Sequence, residues 1–291
     1  MPGGSWTDTL GYHILRRVGR RAMHQDPLSG NRYRHEAKLE LHFGPQIWAM
    51  LRERVVLDFG CGDGRDAIQI AAHGAKHVIG VDIRRDLLQR AREQAQAAGV
   101  ATRVEFTSEL PKNVDVVLSV DGFEHYSAPA SALDAMRSAL RDDGRILISF
   151  GPPWYHPLGG HLFSVFPWAH VLFSEAALIR WRSDFKSDGA RRFSEVAGGL
   201  NQMTVKRFEQ LIATSPLEVD WLEAVPIRRL AAFSTPATRE LTTALVKCQL
   251  RPYIKRHAHA HDPAAASVPN LPQKARHSRE HTATGRHTPV Y

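Results

Sequence analysis

Between residues 54 and 150, short aliphatic and β-branched runs alternate with stretches whose apolar positions recur every three to four residues. That rhythm predicts strands separated by helices, hence a parallel sheet covered on both faces. The expected strands are 54–59, 77–83, 103–106, 114–120 and 145–150, and the expected helices are 66–73, 86–98 and 131–141. Gly99 stands where the second helix should stop, and Asp142, Asp143 and Gly144 close the third. A helix over 204–213 and strands over 217–225 and 242–250 complete a doubly wound, mostly parallel α/β sheet of seven strands.

The rhythm breaks between 151 and 201, a stretch rich in aromatics, Pro and Gly that reads as a substrate-side insertion after the fifth strand. Ahead of the sheet, 1–49 reads as a helical cover, with a basic helix over 12–23 and a second helix running from 38 to 54 into the first strand. The sheet with its insertion occupies 50–253. Beyond Pro252 the apolar periodicity ends. Residues 254–291, dominated by Ala, Pro, His, Thr and Arg, read as a disordered tail, because such a composition buries too little surface to offset the entropy of ordering.

A net charge of +8 suits nucleic acid in principle, but its placement does not. Residues 1–35 carry six Arg against Asp8 and Asp26, residues 255–291 carry six Lys and Arg against Asp262 and Glu280, and the segment between is neutral. A nucleic-acid partner is therefore not expected. Cys61 and Cys248, with no CxxC spacing, give no disulfide or metal signature and suit a reducing compartment. The apolar stretch 161–179 is interrupted by Pro167, His170 and Glu175, and no apolar leader precedes the first Arg cluster, so a cytoplasmic protein is expected. His257, His259 and His261 alternate in the tail, where the disordered reading outweighs a metal site, and no bound metal is expected.

The sharpest motif is Val55-Val56-Leu57-Asp58-Phe59 running into Gly60-Cys61-Gly62-Asp63-Gly64-Arg65. Glycines are needed where a turn takes dihedrals closed to other residues and where a ligand must lie against bare backbone. The competing readings are a tight strand-to-helix turn and a dinucleotide site. The dinucleotide fingerprint is GxGxxG with an acid about 20 positions on. Here the third glycine comes one residue early, and Asp58 precedes the first by two. With Asp82 closing Val78-Ile79-Gly80-Val81, the pattern resembles the class I S-adenosylmethionine (SAM)-dependent methyltransferases over residues 50–253, most of all their small-molecule branch.

That resemblance implies SAM as cofactor and a small-molecule acceptor, with a Rossmann-like methyltransferase fold. It implies that Gly60, Gly62 and Gly64 line the methionine and ribose portion, that Asp58 helps hold the amino group, and that Asp82 accepts hydrogen bonds from the ribose hydroxyls. The competing role for Asp82 is a helix cap. Cys61, Ile83 and Ser119 complete the implied contacts. The acid that family members often place after the third strand is missing from Phe106-Thr107-Ser108-Glu109-Leu110-Pro111, so Ser108 or Glu109 stands in for it.

The run 115–125 matches the family's fourth strand, whose carboxyl end faces the transferred methyl. Its Ser119-Val120-Asp121-Gly122 disfavours the amino-methylating nucleic-acid enzymes, which carry Asn or Asp followed by two prolines there. His125 is the candidate general base, against a capping or packing role, and Glu124 a candidate contact to cofactor or substrate. Tyr155, His156 and His161 in the insertion are further candidates, against a rigid Pro/Gly loop. Phe163, Phe166, Trp168, Phe173 and Trp181 suit either a lipophilic pocket or peripheral membrane contact, or else ordinary packing. The resemblance also implies that Tyr12, His13 or Tyr33 in the cover approaches the substrate.

Overall fold

The computed structural model describes residues 6–19, 38–196 and 198–253. Tyr33, the tail and its alternating histidines lie outside the described residues. The chain opens with α1 (Trp6–Val18), α2 (Lys38–Phe43) and α3 (Ile47–Leu51). The single helix expected over 38–54 is two short ones, because Gly44 takes φ of 80° and its neighbour Pro45 lacks an amide donor. There follow β1 (Val55–Phe59), α4 (Arg65–Ala72), β2 (His77–Val81), α5 (Arg85–Ala97), β3 (Val104–Thr107), β4 (Val114–Val120), α6 (Pro129–Ala139) and β5 (Leu140–Phe150). The insertion contributes α7 (Ala169–Leu172) and α8 (Glu175–Arg182), after which come α9 (Val205–Ala213), β6 (Leu217–Pro226), α10 (Arg239–Thr242) and β7 (Thr243–Pro252).

The seven strands make one sheet in the order β3-β2-β1-β4-β5-β7-β6, parallel except for β7, which runs antiparallel to β5 and β6. The expected doubly wound sheet is present, with most boundaries within two residues of expectation. β2 ends at Val81 rather than at 83, and β5 begins at Leu140, which pairs with Val114 across a register shift. Asp142 and Asp143, expected to close the helix over 131–141, therefore lie within a strand.

Side chains alternate across the sheet to feed two cores. Val56, Val116 and Leu118 point to the face covered by α2 to α5, while Leu57, Val117 and Ile148 point to the face covered by α6 and α9. The helices are cut to match. In α5, Leu88, Ala91 and Ala95 are buried at helical spacing, and in α9 Val205, Phe208 and Ile212 are, with the Thr204 hydroxyl capping the Arg207 amide. A third core joins Tyr12 and Leu15 of α1 to Trp154, Phe163, Leu178, Trp181 and Phe193 of the insertion. The aromatic run of the insertion is thus spent largely on packing: Phe163 and Trp181 are buried, and Phe166 sits edge-on to Phe173. No helix among the described residues is long and apolar enough to cross a membrane.

Candidate functional site

The carboxyl ends of β1, β2, β4 and β5 meet where the strand order reverses direction about β1 and β4, the position at which open α/β sheets bind ligands. β1 ends in the glycine loop. The Gly60 and Cys61 amides donate to the Val81 carbonyl at 2.8 and 3.1 Å, tying the loop to the end of β2, and the Gly64 amide returns to the Cys61 carbonyl at 2.9 Å. Gly60, Gly62 and Gly64 all have positive φ, at 82°, 53° and 81°. A Cβ at Gly62 would meet nothing within 4 Å, so this backbone faces open space; one at Gly64 would strike Phe106 and Ala91, where helix packs on strand.

Asp82 braces the same loop. Its Oδ2 accepts from the Gly62 amide and its Oδ1 from the Arg84 amide, each at 2.9 Å, so the carboxylate both shapes the cradle and opens α5. Asp58 is 4% exposed and accepts the Ala67 amide in the first turn of α4, while its Oδ2 is buried with no partner. Burial, then the neighbouring Asp66, pushes its carboxyl well above the usual range. Asp66 is itself raised to about 6, by burial against the opposing pull of Lys38. Burial and the carboxylates of Asp58 and Asp82 push the Cys61 thiol up, so it is a neutral wall of the loop. Ile83 projects almost wholly into solvent at 91% exposure, and Ser108 and Glu109 are exposed on the neighbouring rim.

At the end of β4, Asp121 takes φ of 50° and pairs with Lys38 at 2.8 Å. Beside it, His42 Nδ1 lies 2.8 Å from the buried Ser149 hydroxyl. These two contacts bring α2 across the ends of β4 and β5. Tyr12 and His13 do not reach the cleft: the Tyr12 hydroxyl meets Asp184, its ring lies under Arg180, and His13 is edge-on to it. Ser119 is fully buried, with its hydroxyl 2.9 Å from that of Tyr126, which in turn donates to the Phe59 carbonyl. Tyr126 fills the space between Gly60 and Gly122, where a Cβ would come within 2.8 and 2.7 Å of its hydroxyl. The sequence gives no local sign of Lys38, His42 or Tyr126, since each works through a partner 67 to 107 residues away.

Glu124 and His125 follow on a single helical turn, Phe123–His125, pinned by Asn201, whose amide nitrogen donates to the Phe123 and Tyr126 carbonyls. Glu124 is 3% exposed, takes the Gly151 amide at the start of the insertion and is pushed to about 8, chiefly by burial. His125 Nδ1 lies 2.8 Å from the Gly199 carbonyl, and the His161 ring stands 5.3 Å from that of His125. The structure thus joins His161 to Glu124 and His125. His156 instead accepts the Leu158 amide within its own turn, burial lowering it to about 4, and Tyr155 is half-exposed with its carbonyl held by Trp168. On the outer side of His125 a cavity of ≈ 310 Å³ is lined by Ser127, Arg192, Phe193, Asn201 and Arg207 among others.

Residues 52–151 match the model of a methyltransferase domain family. A ubiquinone biosynthesis O-methyltransferase from Aeromonas salmonicida is 38% identical over 100 residues, covering 32% of this chain and 42% of its own. A tRNA U34 carboxymethyltransferase from Cellvibrio japonicus is 32% identical over 107 residues, covering 34% of this chain and 33% of its own. Among solved structures, a SAM-dependent methyltransferase from Mesorhizobium loti superposes with a TM-score of 0.47 at 18% identity over 72% of this chain and 96% of that one. The chain spans less than half the length of these two curated relatives. The family match ends where the insertion begins, and the two relatives' names point to different acceptors.

Proposed function

We propose that this chain is a class I SAM-dependent methyltransferase and that it transfers a methyl group from SAM to a small-molecule acceptor seated between the end of β4 and the insertion, a reading supported by the methyltransferase-domain match over residues 52–151. The observation that carries this reading is an open glycine cradle beside a buried acid: bare backbone at Gly62, and an unpartnered buried oxygen on Asp58. SAM brings an ammonium, the group that such an oxygen can accept. Asp58 would hold the ammonium. Each oxygen of Asp82 has a lone pair left after its backbone bond, enough to accept a ribose hydroxyl. The exposed Ile83, with Ser108 and Glu109 on the rim, offers one apolar face and polar edges to the adenine.

In the transfer, an acceptor oxygen or carbon, its proton passing to His125 or to water, forms the new bond to the methyl carbon as the sulfur–carbon bond breaks, leaving S-adenosylhomocysteine. Such an in-line displacement gains most from holding the two reactants aligned. Glu124 and His125 would face the acceptor, with His161 beside them. Arg192 and Arg207 in the ≈ 310 Å³ cavity suit an acceptor that carries an acidic group beside an oxygen or carbon nucleophile. Calorimetric titration with SAM, S-adenosylhomocysteine and NADPH tests the cofactor: binding of the first two without the third is expected. Binding of NADPH alone, or of none, overturns the reading.

A further inference from the structure

Glu124, His125 and His161 come from distant parts of the chain, the first two from the turn after β4 and the third from the helical turn His161–Phe163 in the insertion. Each offers one ligand atom, and the three atoms lie within 4.8 Å of one another. Glu124 Oε2 and His161 Nε2 are buried with no hydrogen-bond partner. An unmet buried polar atom costs on the order of 1–3 kcal/mol, so two in one cluster call for an occupant. His125 Nδ1–H donates to the Gly199 carbonyl at 2.8 Å, which leaves a lone pair on Nε2, the contact that orients metal-bound imidazoles. His161 has φ of 51°, a backbone region that costs a non-glycine residue roughly 1–2 kcal/mol, so its neighbours hold its ring in place.

We propose that Glu124, His125 and His161 bind one divalent transition-metal ion, of the class of Zn²⁺, Fe²⁺ or Co²⁺. Two imidazoles and one carboxylate match the preferences of these ions, whereas Mg²⁺ and Ca²⁺ favour oxygen throughout. Ligand atoms at 2.0–2.2 Å from a common tetrahedral ion lie about 3.4 Å apart, so the observed spacing closes with side-chain shifts of roughly 1 Å. Three protein ligands leave a coordination position open, as in catalytic rather than structural zinc sites. An acceptor hydroxyl is the oxygen suited to that position; this last step rests on the proposed methyl transfer, while the metal site itself does not.

The test uses the full chain, stripped with chelator, dialysed and titrated with Zn²⁺ by calorimetry and with Co²⁺ by visible absorption. The 16 histidines of the chain provide weak background uptake, so the diagnostic quantity is one tight equivalent. Wild type should bind it, and His161→Ala and Glu124→Gln should each weaken it at least about 100-fold, leaving the background unchanged. Circular dichroism checks folding, and the nearly isosteric Glu124→Gln decides the matter if His161→Ala does not fold. Retention of the tight equivalent in the variants overturns the proposal and places the metal on other histidines. Absence of a tight equivalent in wild type also overturns it, and leaves a direct Glu124–His161 hydrogen bond as the occupant of the cluster. SAM affinity of the stripped protein is a separate measurement, so the two readings can fail independently.

Discussion

A methyl group placed on Gly62 would enter empty space, while one on Gly64 would lie 2.6 Å from the Phe106 ring and 2.7 Å from the Ala91 methyl. Both glycines have positive φ, so alanine at either costs roughly 1–2 kcal/mol of backbone energy. Only Gly64→Ala adds overpacking, on the order of 1–3 kcal/mol more. Gly64→Ala should therefore unfold at clearly lower temperature than Gly62→Ala, and Gly62→Val should lose at least about tenfold in SAM affinity while remaining folded, since its side chain fills the cradle rather than the core. Thermal unfolding and calorimetry read the two effects separately, and wild-type SAM affinity in Gly62→Val would remove the loop from the site. These glycines were legible because their role is written in consecutive residues. The bracing of Gly62 by Asp82, and the first-turn amide of α4 held by Asp58, were not legible, since each requires the loop to be folded back on its strands.

Between elements, the contact that bears on the proposed cofactor site is the one α2 makes with the end of β4. Lys38 pairs with Asp121 and lowers the carboxyls of Asp66 and Asp58 electrostatically, against burial and the surrounding acids. Asp66, facing Lys38, Asp121, Asp63 and Arg65, is raised to about 6 in the folded protein from a reference of 3.8. An acid raised on folding contributes stability that is fully present below its unfolded value and is lost as pH rises through its folded one. Free protein should thus lose this contribution between about pH 4 and 6, while a cationic ligand prefers the ionised carboxylate. SAM affinity, and the thermal shift SAM produces, should rise from pH 5 to 7 with proton release on binding. Lys38→Met should move that rise to higher pH. A shift that is flat across the range in both proteins would detach Asp66 from the cofactor. The sequence predicted a helix at this place but not its use, because nothing within residues 38 to 43 signals a partner 83 residues away. It predicted one long helix, and Gly44-Pro45 made two.

At the scale of the fold, the buried apolar side chains among the described residues fall into three cores, two on the faces of the sheet and one shared by α1 and the insertion. The strand and helix rhythm made the first two readable, since alternation and helical spacing specify which side chain faces which layer. The third was not readable: its apolar residues show no single period, and α1 joins them from more than 130 residues upstream. This separation predicts a division of effects. Leu15 is fully buried in the third core, and Leu15→Ala should cost about 2–5 kcal/mol where it packs. The loss belongs to a layer whose start and end, at Gly151 and Asn201, touch the turn carrying Glu124 and His125 rather than the glycine loop. Hydrogen exchange should then quicken in α1 and α8 while amides of β1 and β4 keep their protection. SAM affinity should stay within about twofold of wild type, and the turn carrying Glu124 and His125 should become more mobile. Uniform acceleration across the sheet would mean that the insertion folds as part of the cofactor domain and that the acceptor side is not a separately stabilised layer.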